Sequence, residues 1–427
     1  MKRQGFYVLF FIPVFTACLE SPEMTTGIVN GKEKPTVLTV SASPFGSDGN
    51  LLFQAEIISK GKAEITERGF YWSTVSNNPG INDNTDTVAT GDNAFTYELK
   101  GASGEKTYYW RAFAKNSYGY DYGEVRSCQT PEIWVEKHYL NAFARGRGVV
   151  FALNNNIFTA CGEYYGSGRV PVYDTWEYSI AVNSWDQIES FPGDNRIYPV
   201  VFTIGNYAFV GTGLKEATVA HKDFYRYDNT FNSWTEIVTP DDLEARYEAV
   251  AFSLNGKGYL VGGSSAGRES LNDVWQYDPE NDSWEKKNDF REFYGGISIC
   301  DNNRAFVGIG NASGIDRVLW EYDKETDSWS EFITLPDEFV KRVYSDISGV
   351  IIQNTIYIVD GDNTIWACDI SNETKTWKKK ADLPSDLLDE YGEGGNQKLL
   401  TTGNSNSIYV GLGFTRLLYE YRPLWDN

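Results

Sequence analysis

Five arginines recur at nearly fixed distances ahead of an aromatic residue. Arg145, Arg196 and Arg246 stand 13 residues before Phe158, Phe209 and Tyr259, and Arg291 and Arg342 stand 15 before Phe306 and Tyr357. A guanidinium fork binds a carboxylate through two parallel hydrogen bonds and stacks on planar groups. Repeated around one opening, such forks would receive an anionic ligand. Other reactive groups are few. The 2 histidines, His138 and His221, are far apart, and no Ser-His-Asp order, His-Glu-x-x-His or phosphate loop appears. Glu248 and Glu292 lie close to two of the arginines and are the candidate bases if a proton has to move. Cys128, Cys161, Cys300 and Cys368 have neither CxxC nor metal-site spacing and read as buried thiols. No metal and no cofactor is expected.

The elements that must hold these arginines are strands. Each marker aromatic is followed four positions later by glycine, as Phe158/Gly162, Phe209/Gly213, Tyr259/Gly263, Phe306/Gly310, Tyr357/Gly361 and Tyr409/Gly413. Downstream comes an aromatic hairpin. In "LNDVWQYDPENDSWEKK" (271–287), Trp275 and Trp284 flank an Asp-Pro-Glu-Asn-Asp turn. Trp176/Trp185, Tyr225/Trp234, Trp320/Trp329 and Trp366/Trp377 repeat it. A period of roughly 40–50 residues with alternating aromatic and polar positions points to a circular β architecture. Four strands per unit make a propeller blade, and there are six units. The chain ends eight residues after Tyr419, too soon for an outer strand in the sixth unit. Trp134–Lys137, ahead of the first unit, is expected to supply it and so hide the sheet edge.

The segment 246–287, with "R…YLVGG…LNDVWQYDPENDSW", resembles the kelch repeat family, and the resemblance extends over about residues 132–425. Asp360 in place of the first glycine and Tyr419 in place of tryptophan depart from the pattern. The resemblance implies a six-bladed kelch β-propeller. It also implies that the recurrent arginine bridges blades through carbonyls and acidic neighbours, which competes with the ligand-binding reading. Some kelch propellers are copper oxidases, but copper needs histidine and tyrosine ligands that two distant histidines do not provide. Others are sialic acid mutarotases that handle an anionic sugar with arginines and acids.

In a propeller, the loops entering the first strand and those joining the second and third share one face. From the strand-end glycine to the hairpin aromatic the gaps are 14, 12, 12, 10, 5 and 6 residues. The tall loops of units one to four carry Tyr164, Tyr165, Arg169, Tyr173, His221, Lys222, Arg268, Glu269 and Arg317. A wall of aromatics and cations suits sugar rings. Of these, Tyr164, Tyr165, Arg169, His221, Arg268 and Arg317, with the five arginines, form the expected ligand-binding set, and none of them singles out catalysis.

Residues 35–131 form a separate unit. "ERGFYWS", "NAFTYELKG" and "KTYYWRAFAKNSYGYDYGEVRSCQT" alternate apolar and polar residues, and about seven strands suggest a β-sandwich. Tyr108–Asn116 resembles a strand of the fibronectin type III-like domains of bacterial surface proteins, which usually act as spacers. Lys2, Arg3, the apolar run "GFYVLFFIPVF" and "FTAC" resemble a bacterial lipoprotein signal (1–17) with lipid on Cys18 and a polar tether over 18–34. This implies anchorage to the outer membrane, and the acidic residues after Cys18 point to the cell surface. The formal net charge of −21 excludes nucleic acid and anionic membrane surfaces as partners, since both require a basic face. The expected function is a surface-anchored lipoprotein that captures a glycan or a protein. The alternatives are an enzyme acting on an acidic sugar and a protein-adhesion module.

Overall fold

The computed structural model describes residues 33–45, 49–165, 168–215, 218–310, 316–339, 347–360, 363–388, 399–404, 406–413 and 415–426. Cys18, the leader, all but the last two tether residues (Glu33 and Lys34) and Arg342 lie outside the described residues. The chain divides into two compact units that meet at Glu132 and Ile133.

The N-terminal unit contains two antiparallel sheets. One pairs Thr36–Phe45, Asn50–Ser59 and Ala94–Leu99. The other holds Asn84–Thr87, Glu67–Ser73, Thr107–Asn116 and Gly119–Tyr122, with Arg126–Gln129 alongside Thr107–Asn116. Phe53 of the first sheet stacks on Trp110 of the second at 4.9 Å, and Phe70 and Phe95 close the same core. Tyr120 and Tyr122 are engaged within the unit: Lys115 lies over Tyr120 and Arg111 over Tyr122.

Among the described residues the C-terminal unit holds six large sheets on the antiparallel plan that the repeat predicts, five with four strands and the third with a short fifth strand, Arg246–Tyr247, beside two two-stranded ribbons in the loops. The first runs through Val149–Leu153, Asn156–Ala160, Thr175–Ser179 and Ser184–Ile188. The first strands of the six sheets neighbour one another in sequence order, and the first strand of the sixth returns to that of the first. The last sheet takes Leu399–Asn404, Ser407–Gly411 and Leu418–Tyr421 from the C-terminal end and Trp134–Glu136 from the N-terminal end of the unit. Trp134 pairs with Tyr421 and Glu136 with Tyr419, so the outer strand comes from the expected segment.

Two repeated devices explain why the aromatic positions recur. Within a sheet the marker aromatic lies opposite a first-strand aromatic: Phe151 stacks on Phe158 at 5.2 Å, Phe202 on Phe209 at 4.9 Å and Phe252 on Tyr259 at 4.9 Å. A hairpin tyrosine of the next sheet closes on each pair, Tyr227, Tyr277 and Tyr322 in turn. Each large apolar side chain buried this way contributes roughly 1.5–3 kcal/mol. The hairpin tryptophans then stitch neighbouring sheets. Trp185 donates its indole N–H to the carbonyl of His138, Trp234 to that of Glu189 and Trp377 to that of Thr334. The marker glycine is required where the second strand ends. Gly162 has φ +92°, and a Cβ there would meet the Gly146 carbonyl oxygen at 2.5 Å.

Candidate ligand site at the channel mouth

Three of the recurrent arginines are the best-buried cations among the described residues, Arg145 and Arg196 at 1% exposure and Arg246 at 0%. Each turns its fork on an aspartate of its own sheet. Arg196 meets both oxygens of Asp223 at 2.8 and 2.9 Å, and Arg246 both oxygens of Asp273 at 2.5 and 2.7 Å. Arg145 reaches the carbonyl and carboxylate of Asp174 at 2.9 and 3.0 Å. The aspartate stands two residues before the hairpin aromatic, whose indole completes the group: Trp176 donates to Asp174 and Trp275 to Asp273. The same arginines link sheets through their carbonyls, since Gly162 of the first sheet donates to Arg196 of the second and Gly213 of the second to Arg246 of the third. The expected ring of open forks is therefore replaced, in these three units, by buried bridging pairs. Arg291 is half-buried, pairs with Asp316 at 2.7 Å and lies over the Trp320 ring.

The side chains that reach the mouth stand two residues later. Arg147, Tyr198 and Glu248 occupy equivalent places just before the first strands of units one, two and three, and all three have left-handed backbones, with φ of 58°, 54° and 52°. Unit four has Gly295 in that conformation, φ 58°. The backbone alone therefore asks for glycine, and each larger residue costs about 1 kcal/mol of strain. These residues interact with one another. The Arg147 guanidinium lies 5.4 Å from the Tyr198 ring centre and forms an ion pair with Glu163. Arg169 stands 3.7 Å from the same Glu163 carboxylate. Burial pushes the Tyr198 hydroxyl up to about 12. Burial also holds the Glu248 carboxyl above its ordinary range, against the pull of Arg147. Below them a cavity of about 550 Å³ runs between the first strands of units one to five, with walls that are uncharged apart from Asp301 and include Val150, Val201, Thr203, Ser253 and Ser298.

The tall-loop residues divide. Tyr164 stacks flush on Phe143, with ring centres 4.2 Å apart and planes within 6°. Tyr165 takes part through its backbone, which pairs with Arg169. Tyr173 is exposed. His221 sits 3.8 Å from Asp223, and burial, followed by the nearby Arg196 charge, lowers its pKa. Lys222 and Arg317 are turned on local acceptors, Lys222 on the carbonyls of Pro240 and Asp241 and Arg317 on Asp337 and Pro336. Arg268, Glu269 and Glu292 are exposed loop residues. Arg147 and Tyr198 escaped the sequence reading because nothing in their side-chain type marks a left-handed backbone; a constant offset of two from the buried arginine was the available signal. Among the described residues no cluster of His, Cys, Asp and Glu is placed to hold a metal ion.

Comparison with known proteins gives a kelch motif over residues 245–291. An F-box/kelch-repeat protein of Arabidopsis thaliana is 40% identical over 72 residues, 17% of this chain and 18% of that protein. Kelch-like protein 35 of Mus musculus is 26% identical over 153 residues, 35% of this chain and 25% of that protein. N-acetylneuraminate epimerase of Pasteurella multocida (strain Pm70) is 31% identical over 83 residues, 18% of this chain and 22% of that protein. The matched stretches thus span a quarter or less of these relatives' own lengths. The solved structure of YjhT superposes with a TM-score of 0.48 at 12% identity, covering 66% of this chain and 95% of that one. The third unit, where Arg246, Asp273 and Trp275 meet, thus lies within the stretch that carries the kelch motif.

Proposed function

We propose that this chain is a surface-anchored binding lipoprotein that captures a glycan or a protein ligand on the loop face of a six-bladed kelch propeller. In this reading residues 35–131 are a fibronectin type III-like spacer and Cys18 carries the lipid. The observation that carries the binding site is the row of Arg147, Tyr198 and Glu248. Three adjacent units spend backbone strain to place a cation, a ring and an acid at one mouth, in a position where glycine suffices. Arg169 on the hairpin above, and the largely uncharged cavity below, extend the same site. A glycan array with the soluble chain lacking residues 1–18 tests this. Wild type should bind a defined subset of glycans, and Arg147→Ala and Tyr198→Ala should lose it while keeping the wild-type melting temperature to within a few degrees. An array signal unchanged in both variants places the site elsewhere.

A second reading, an enzyme acting on an acidic sugar, is favoured by Glu248. A half-buried carboxyl with a raised pKa, next to an arginine, is suited to hold and return a proton. One of the relatives is named an N-acetylneuraminate epimerase. Interconversion of the anomers of an acidic sugar, followed by proton NMR and abolished in Glu248→Gln, would establish turnover. Binding without such interconversion leaves the first reading in place.

A further inference from the structure

The strand Glu163–Tyr165 presents two different faces, because successive side chains of a strand point to opposite sides. Glu163 turns to Arg147 and Arg169 at the mouth. Tyr164 turns the other way and backs the ring of Phe143. Phe143 remains 60% exposed, so one face of its ring is covered by Tyr164 and much of the rest is open to solvent. The segment bearing Phe143 is fixed to the strand bearing Tyr164: Gly146 and Glu163 exchange both backbone hydrogen bonds, at 2.9 and 3.0 Å. Arg145, two residues after Phe143, is locked to Asp174 and bridges to Thr415. The exposed flat ring is therefore held rigidly in place. Two other exposed side chains of this unit's loops, Tyr139 and Tyr173, are rings that carry hydroxyls, and the Arg416 guanidinium lies 5.1 Å from the Tyr139 ring centre.

We propose that the Phe143–Tyr164 pair is a platform for one sugar ring, so that the ligand is an oligosaccharide with its acidic unit at the Arg147 mouth and a further unit, across the Glu163–Tyr165 strand, on Phe143. This rests on the glycan-binding reading of the mouth and adds the length and order of the ligand. A rigid ring with one open face matches the C–H face of a single pyranose. A protein partner would need a contiguous apolar patch of several hundred Å². The exposed apolar residues Val182 and Phe231 stand in the turns between third and fourth strands, at the other end of the strands from Phe143.

The test is a glycan array followed by titration, with acidic monosaccharides, oligosaccharides containing one acidic residue, and neutral oligosaccharides as probes. Phe143→Ala should weaken binding of the acid-containing oligosaccharides about three- to tenfold, the range for one aromatic contact, and leave free acidic monosaccharides unchanged. Phe143→Tyr should keep wild-type affinity, and Arg147→Ala should weaken both acidic classes. Binding of oligosaccharides that Phe143→Ala does not change overturns the platform and leaves the mouth reading standing, as does binding of acidic monosaccharides alone. Oligosaccharide binding that is sensitive to Phe143 but not to Arg147 supports the platform and overturns the mouth. No binding to any glycan overturns both.

Discussion

Arg246 and Asp273 face each other through two parallel N–H···O contacts of 2.5 and 2.7 Å, with the arginine fully buried and the Trp275 indole on the same carboxylate. The pair ties the start of the third unit to its hairpin, and the arginine's carbonyl ties it to the unit before. Removing one partner strands the other charge in a low-dielectric site. Arg246→Met or Asp273→Leu alone should each destabilise the C-terminal unit by about 3–5 kcal/mol, whereas the two changes together should cost much less than the sum of the single ones. Urea denaturation of the four proteins closes the cycle. Additive losses would mean that the two residues act separately.

Acid should loosen the same bridges. Burial alone would raise the carboxyls of Asp174, Asp223 and Asp273, but the paired guanidinium groups more than offset it and hold all three below the ordinary carboxylate range. A depressed folded pKa gives stability that is fully present above the unfolded value, about 3.9, and is lost as pH falls through the folded value. The melting temperature should therefore fall steeply below about pH 4. Asp273→Asn, already destabilised at neutral pH, should show a shallower acid limb. An acid limb identical to that of wild type would assign the pH dependence to other groups.

Much of this architecture is legible because it is repeated. Trp185, Trp234 and Trp377 recur because each donates to a carbonyl of the sheet before it, and Gly162 and Gly213 recur because neighbouring backbone leaves no room for a Cβ. Trp134 is readable as the missing strand because it falls in register with the outer-strand tryptophans. The role of the arginines is harder to read. The partner of Arg246 lies 27 residues downstream, and the spacing alone does not say whether a fork is open or filled. The Asp-x-Trp step at Asp174–Trp176 and Asp273–Trp275, with Tyr225 after Asp223, is the mark of a filled fork. The mouth is only partly legible for a different reason: Glu248 is marked by its nearness to Arg246, but φ does not show in the sequence, and Arg147, Tyr198 and Glu248 have no residue type in common.

Glu248 combines two unfavourable features, a left-handed backbone and a half-buried carboxyl whose pKa burial has raised. Its sign is opposite to that of the bridging aspartates. A raised folded pKa in an acid means that stability is lost as pH rises from the unfolded value through the folded one. Glu248→Gln should therefore raise the melting temperature at pH 7, with a gain that shrinks as pH falls toward about 4. Glu248→Gly relieves the backbone as well and should add about 1 kcal/mol more. Both changes should weaken ligand binding. A Glu248→Gly variant less stable than wild type would show that the side chain is structural, not a site residue held under strain.

Anchorage is separable from all of this. If lipid is carried on Cys18, Cys18→Ala should move the protein from the membrane fraction to the soluble one without changing the melting temperature of either unit. Retention in the membrane fraction, with residues 1–17 still present on the mature wild type, would mean that the leader itself holds the chain.

Ring closure gives the sharpest separation between the two units. Trp134–Glu136 pairs with Leu418–Tyr421, Lys137 donates its backbone N–H to the carbonyl of Leu418, and Arg422 donates to that of Ile133. The Trp134 ring packs on Tyr421 at 4.7 Å, and the Lys137 ammonium pairs with Glu420 at 2.6 Å. Burial raises the Glu420 carboxyl, but hydrogen bonds from Lys137 and Ser407 more than offset this and keep it below its ordinary range. A chain that begins at Ile133 or earlier keeps all of these contacts. A chain that begins at Tyr139 loses the strand and bares the backbone of Leu418–Tyr421 to other molecules, since an open edge templates pairing. Deleting residues 1–130 should therefore leave the melting of the C-terminal unit within a few degrees of wild type. Deleting residues 1–138 should lower it by more than about 10 °C or produce aggregates, because a three-residue strand, its tryptophan and an ion pair go together. Equal melting of the two truncations in scanning calorimetry would mean that the sixth sheet is stable with three strands and that Trp134 only caps it.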